Sequence, residues 1–134
     1  MFVRFVVPQF DSESHCELGV FHAAGNLYWS GHMFSYEETE YERIRNWFSD
    51  YLRRPTRFTA SKRPYYRKPK KAICWFKDTA QVHLDQVRGM VAILENHFVP
   101  VRMLTAKRVG YVVYEDKYQV AAQPFIRELR AIRA

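Results

Sequence analysis

Residues 72–105 read AICWFKDTAQVHLDQVRGMVAILENHFVPVRMLT, and this stretch decides the fold. The apolar run Ala72 to Lys77 is short and rich in branched and aromatic side chains, the pattern of a buried strand. Cys74, in the middle of it, reads as a small buried hydrophobe. Asp78 is placed to cap a helix that continues to about His97. Along that helix Ala80, Leu84, Val87, Val91, Leu94 and Phe98 recur at intervals of four and three, which gives one continuous apolar face that should pack directly on a sheet. Val101 to Thr105 then reads as a second strand.

Towards the C-terminus, Tyr111 to Glu115 and Tyr118 to Ala122 read as a strand pair joined by an Asp116–Lys117 turn. That turn lacks the Asn-Gly or Asp-Gly pair that hairpins favour. Val112 and Tyr114 fall on the opposite face from Tyr111, Val113 and Glu115, so this part of the sheet is apolar on both faces and needs cover on both. Pro124 can sit in the first turn of a short closing helix with Phe125, Leu129 and Ile132 on one side. Towards the N-terminus, FVRFVV at 2–7 reads as a strand broken by Pro8, and QFDSESHCE as a loop. Leu18 to Ser30 has helical spacing. Ser35 with Glu38 forms a capping-box pattern opening a helix whose inward stripe is Tyr41, Ile44, Trp47, Phe48, Tyr51 and Leu52.

The resulting class is α+β: one domain over 1–134, a mostly antiparallel sheet of about five strands packed with three helices, plus a short C-terminal helix. The chain has 134 residues, 48% of them hydrophobic and 16% aromatic, enough to build a core without disulfides or metal. Two cysteines, Cys16 and Cys74, are too few for a disulfide framework or a zinc finger. No apolar run approaches the ~18 residues of a membrane span, and no leader pattern opens the chain. These features lead us to expect a cytoplasmic protein with no membrane partner and no cofactor.

Charge gives the strongest functional signal. Nine of the 21 Lys and Arg residues lie in RRPTRFTASKRPYYRKPKK at 53–71, which contains no carboxylate. The remaining chain has twelve basic and fourteen acidic side chains, so the formal +7 is one local patch. Pro55, Pro64 and Pro69 make the stretch a loop or arm. Arg53, Arg54, Arg57, Lys62, Arg63, Arg67, Lys68, Lys70 and Lys71 can neutralise phosphates, and Tyr65 and Tyr66 can stack on unpaired bases. Stacking contributes about 1–3 kcal/mol per base, and six phosphate contacts on duplex DNA give a log–log salt slope of about −5. The expected partner is therefore a nucleic acid, RNA or single-stranded DNA, bound without catalysis. A solvated loop, or a loop gripping an acidic protein surface, accounts for the same charges. The second expectation is a protein-interaction module or homo-oligomer.

Catalytic signals are sparse. His83, Glu115 and Arg88 form a conceivable metal-independent ribonuclease set, but a histidine on a helix edge and an acidic turn are ordinary surface features. His15, Cys16 and His22 lack the second ligand pair of a metal site. We therefore name no catalytic and no metal residues. Tyr28, Trp29, Trp47, Tyr51 and Trp75 fit core positions better than a ligand cage.

AICWFKDTAQVH at 72–83 and VPVRMLTAKRVGYVVYEDKYQVAAQPF at 99–125, with the opening MFVRF and the Trp47–Phe48 helix, resemble a family of small bacterial proteins with no assigned activity. The resemblance covers roughly residues 1 to 125. It implies a bacterial, cytoplasmic, single-domain protein, and it implies no ligand or catalytic residue.

Overall fold

A computed structural model describes residues 1–12, 14, 16–56 and 72–125. Expectations for Arg57 to Lys71, and for a closing helix after Phe125, lie outside the described residues. The elements are β1 (Phe2–Asp11), β2 (Cys16–Gly19), α1 (Val20–Trp29), α2 (Ser35–Tyr51), β3 (Ile73–Lys77), α3 (Gln81–Asn96), β4 (Arg102–Ala106), β5 (Tyr111–Glu115) and β6 (Gln119–Gln123). The α+β class is as expected: the described residues form six strands in one sheet, every pairing among them antiparallel, and three helices.

The sheet is organised around β1, which has three partners. Phe2 and Val3 pair with both β3 and β4, and Val6 pairs with both β2 and β4. A strand has only two edges. β4 therefore occupies one edge of β1, while β2 and β3 share the other, β3 at its start and β2 along its second half. On that shared edge no described residue is in register with Arg4 or Phe5. Because β3 and β4 both run antiparallel to β1, they are parallel to each other. α3 connects them across the inserted strand, a split β-α-β unit. β6 and then β5 extend the sheet beyond β3.

Two sequence expectations shift here. β1 continues through Pro8 to Asp11, because Pro8 falls in the register break between Val6 and Phe10, where a missing N–H costs no ladder bond. Within the polar stretch expected as a loop, Gln9 to Asp11 continue β1 and Cys16 to Gly19 pair back on it, with Cys16 and Leu18 buried. At the other end, the β5–β6 turn is closed by a side chain in place of glycine. Asp116 Oδ1 accepts the N–H groups of Tyr118 at 2.8 Å and Gln119 at 3.0 Å.

The main core joins Val3, Phe5 and Val7 of β1 to Ile44 and Phe48 of α2 and to Leu84, Val87, Met90 and Leu94 of α3. A smaller cluster contains Cys16, Ile73, Trp75, Val109, Val120 and Ala122. Trp75 and Phe76 are adjacent on β3 and enter different clusters, so the two clusters lie on opposite faces of the sheet. Tyr28 and Trp47 are half-buried, as core positions would be, but Trp29 is 79% exposed and Tyr51 is also on the surface. Cys74, expected inside, is exposed.

α3 starts later and buries a broader face than the spacing suggested. Its N-cap is Ala80, while Asp78 lies 3.6 Å from the N-terminal amine of Met1. His83, Met90 and Ile93 are buried beside Leu84, Val87 and Leu94. Phe98, read as the last residue of the stripe, is 95% exposed. The helix ends in a Schellman turn, with Val99 N–H donating to Leu94 and Phe98 N–H to Glu95. That turn puts Phe98 at a φ of 61°, where glycine is the usual residue. Phe98→Gly is therefore expected to stabilise the fold by about 1 kcal/mol, read from the midpoint of denaturant unfolding. An unchanged or lower midpoint would mean that the phenyl ring makes compensating contacts.

α2 also differs in its cap. Phe34 is the N-cap residue, and Glu37, not Glu38, reaches back to accept its N–H at 2.9 Å. The same Glu37 Oε1 accepts from His97 Nε2 at 2.7 Å, which ties the start of α2 to the end of α3. Burial opposes the Glu37 charge, but the His97 and Phe34 donors outweigh it and hold its pKa below the ordinary glutamate range. A carboxylate whose pKa is lowered by folding stabilises the fold above its unfolded pKa, and this contribution drains away as pH falls through the folded value. The thermal midpoint should therefore drop on acidification below roughly pH 4, and drop less in Glu37→Gln, so that the two curves converge in acid. Parallel curves would refute the assignment.

Candidate functional site

The described residues on the N-terminal side of the basic stretch are held at fixed points. His83 Nε2 lies 2.9 Å from the carbonyl oxygen of Tyr51, at the end of α2. Gln119 Nε2 donates to the carbonyl of Arg53 at 2.6 Å and to Asp116 Oδ2 at 3.1 Å. Burial opposes the Asp116 charge too, but the Tyr118, Gln119 and Tyr114 donors prevail and keep its pKa low, so it remains an acceptor at neutral pH. Arg53 and Arg54 are exposed at this root, and Ala72, the next described residue after Thr56, is buried. Of the nucleic-acid-binding residues expected from sequence, these two arginines are described. Arg57, Lys62, Arg63, Tyr65, Tyr66, Arg67, Lys68, Lys70 and Lys71 lie outside the described residues.

A cavity of about 500 Å³ opens beside the root. It forms where β2 and β3 share an edge of β1. One wall is Gly19 to Phe21, where β2 turns into α1, and the other is Cys74 to Phe76 on β3; Arg4 and Phe5 line it at the gap between them. α2 contributes Tyr41, Arg45, Phe48 and Ser49, followed by Leu52, Arg54 and Pro55. Phe48 meets Phe21 edge-on at 4.9 Å and lies 6.1 Å from Phe76, so a cluster of rings forms part of the lining. No carboxylate is among the described lining residues, whereas three arginines are.

Arg4 is the least ordinary of them. It is 8% exposed, and its Nη2 donates to the carbonyl oxygen of Glu17 at 2.7 Å. The Glu17 carboxylate is instead engaged by Arg102. Burial lowers the Arg4 pKa, with Cys16, Glu17 and Asp11 partly offsetting it. Arg4 is not among the site residues expected above, although a lone arginine inside FVRFVV is its visible sequence signal. The cavity itself was not legible, because its walls come from segments spread between Arg4 and Gln119.

The ribonuclease candidates each have another partner. His83 is buried, not at a helix edge, and its ring lies 4.2 Å from that of Tyr118. Glu115 pairs with Lys77 at 2.6 Å and Arg88 with Asp85 at 3.0 Å. Among the described residues no group of three or more His, Cys, Asp or Glu side chains is placed to hold a metal ion. No described helix is long and apolar enough to cross a membrane. No protein-family model, no curated protein and no solved structure matches the chain.

Proposed function

We propose that this protein binds RNA or single-stranded DNA, without catalysis, through the basic stretch 53–71. The observation that carries the reading is nine cations and no carboxylate over that stretch. Support comes from its root, where exposed Arg53 and Arg54 leave an anchored backbone beside an aromatic cavity. A cationic arm on a fixed base can follow a phosphate backbone, with Tyr65 and Tyr66 supplying stacking faces. The test is fluorescence anisotropy with a labelled single-stranded RNA, comparing wild type with a variant reversed in charge at Lys62, Arg63, Arg67 and Lys68. Loss of four phosphate contacts should weaken binding by 100-fold or more at low salt. Equal affinity in the two proteins would end this reading.

A second reading, a protein-interaction module or homo-oligomer, rests on an exposed aromatic group at the α2 and α3 termini. Phe34 stacks on Tyr36 with ring centres 6.1 Å apart and lies 5.8 Å from His97, next to Phe98. It predicts a dimer by light scattering that Phe34→Ser with Phe98→Ser dissociates. A monomer at all concentrations would leave no support for the homo-oligomer.

A further inference from the structure

A guanidinium removed from water is costly unless it gains a counter-charge as well as hydrogen bonds. Arg4 is 8% exposed and bonds to a backbone carbonyl, and no described carboxylate lies within ion-pair distance of it. It lines a cavity of about 500 Å³, a size typical of small-molecule sites. Among the described residues the lining combines aromatic side chains, Phe21, Phe48 and Phe76 among them, with two further arginines, Arg45 and Arg54, and no carboxylate. The Glu17 and Asp11 charges offset its burial only in part, so the lining suits a group that is negative and whose body is apolar.

We infer that the cavity is a binding site for a small organic anion, a carboxylate or phosphate carried on an apolar, ring-sized body, with Arg4 as the buried counter-ion. Arg45 and Arg54, both exposed, add positive potential on the lining. The aromatic rings take the body. The site does not depend on nucleic-acid binding by 57–71, and charge reversal at Lys62, Arg63, Arg67 and Lys68 should leave it intact.

The probes are 1-naphthylacetate, its neutral counterpart 1-naphthylacetamide, and uridine 5′-monophosphate, titrated by calorimetry into the full chain. Alkylation of the exposed Cys74 thiol, which lines the cavity, locates the event, since a ligand seated there should slow it. The expected result is naphthylacetate binding at least tenfold tighter than the amide, with Cys74 protected. Arg4→Met should reduce that ratio to about one. If Arg4→Met does not fold, Arg45→Gln with Arg54→Gln, both at exposed positions, should reduce the ratio several-fold. Arg4-dependent binding of uridine 5′-monophosphate would also support the site and assign the anion to a nucleotide, whereas binding of naphthylacetate alone would assign it to a free organic acid. Equal affinity for acid and amide, no binding of any probe at millimolar concentration, or binding without protection of Cys74 would overturn the inference.

Discussion

Gly110→Ala is expected to destabilise the protein by about 3 kcal/mol or more, lowering the thermal midpoint by roughly 10 °C for a chain of this size. Gly110 leads into β5 with a φ of 124°, a region that residues with a side chain rarely enter. A Cβ there would stand 2.0 Å from the carbonyl oxygen of Gln123 and 2.8 Å from its carbon. Both are backbone atoms at the end of β6, paired with β5 through Tyr111, and cannot swing aside as a side chain would. The strain should fall on the β5–β6 edge and on Val109, which is buried in the smaller cluster. Differential scanning calorimetry checks this. A drop of only a few degrees would mean that the loop before β5 can relocate.

The second large effect lies between α2 and α3. Ile44 has no exposed surface, and truncation to alanine should cost about 3–4 kcal/mol through lost burial and the cavity left behind. Its Cδ1 reaches into the space where a side chain on Gly89 would begin, with a Cβ there only 2.7 Å away. Gly89 sits inside α3, where alanine would otherwise be preferred by about 1 kcal/mol. The two positions should therefore be coupled. Gly89→Ala is expected to destabilise the wild type and to stabilise the Ile44→Ala variant, a reversal of sign that a four-protein denaturation cycle resolves. The same sign in both backgrounds would show that the helices adjust their spacing.

The elements of the 72–105 stretch were readable because each follows a strong local rule. The apolar run becomes β3, and the intervals of four and three become α3. What failed was anything decided at a distance. The apolar pattern of α3 could not reveal that the helix ends in a left-handed turn, which sends Phe98 outward, nor that His83 would be buried against Tyr118 and bonded to Tyr51. Pro8 looked like a terminator because a lone sequence does not show a bulge forming around it. β2 was hidden by its polar approach, and with it went the sharing of one β1 edge by two strands. That sharing creates the cavity and leaves Arg4 buried within it. The basic stretch, by contrast, announces itself by composition alone, and Arg53 and Arg54 stand exposed where its chemistry would begin.

The proposal of nucleic-acid binding is tested most directly by the salt dependence of wild-type affinity for a single-stranded RNA. Six phosphates neutralised by the nine cations of 53–71 give a log–log slope of about −4 on a single strand. A slope near that value, with weaker binding as salt rises, is the result this account predicts. Affinity that does not change with salt, or no binding at low salt, would contradict it.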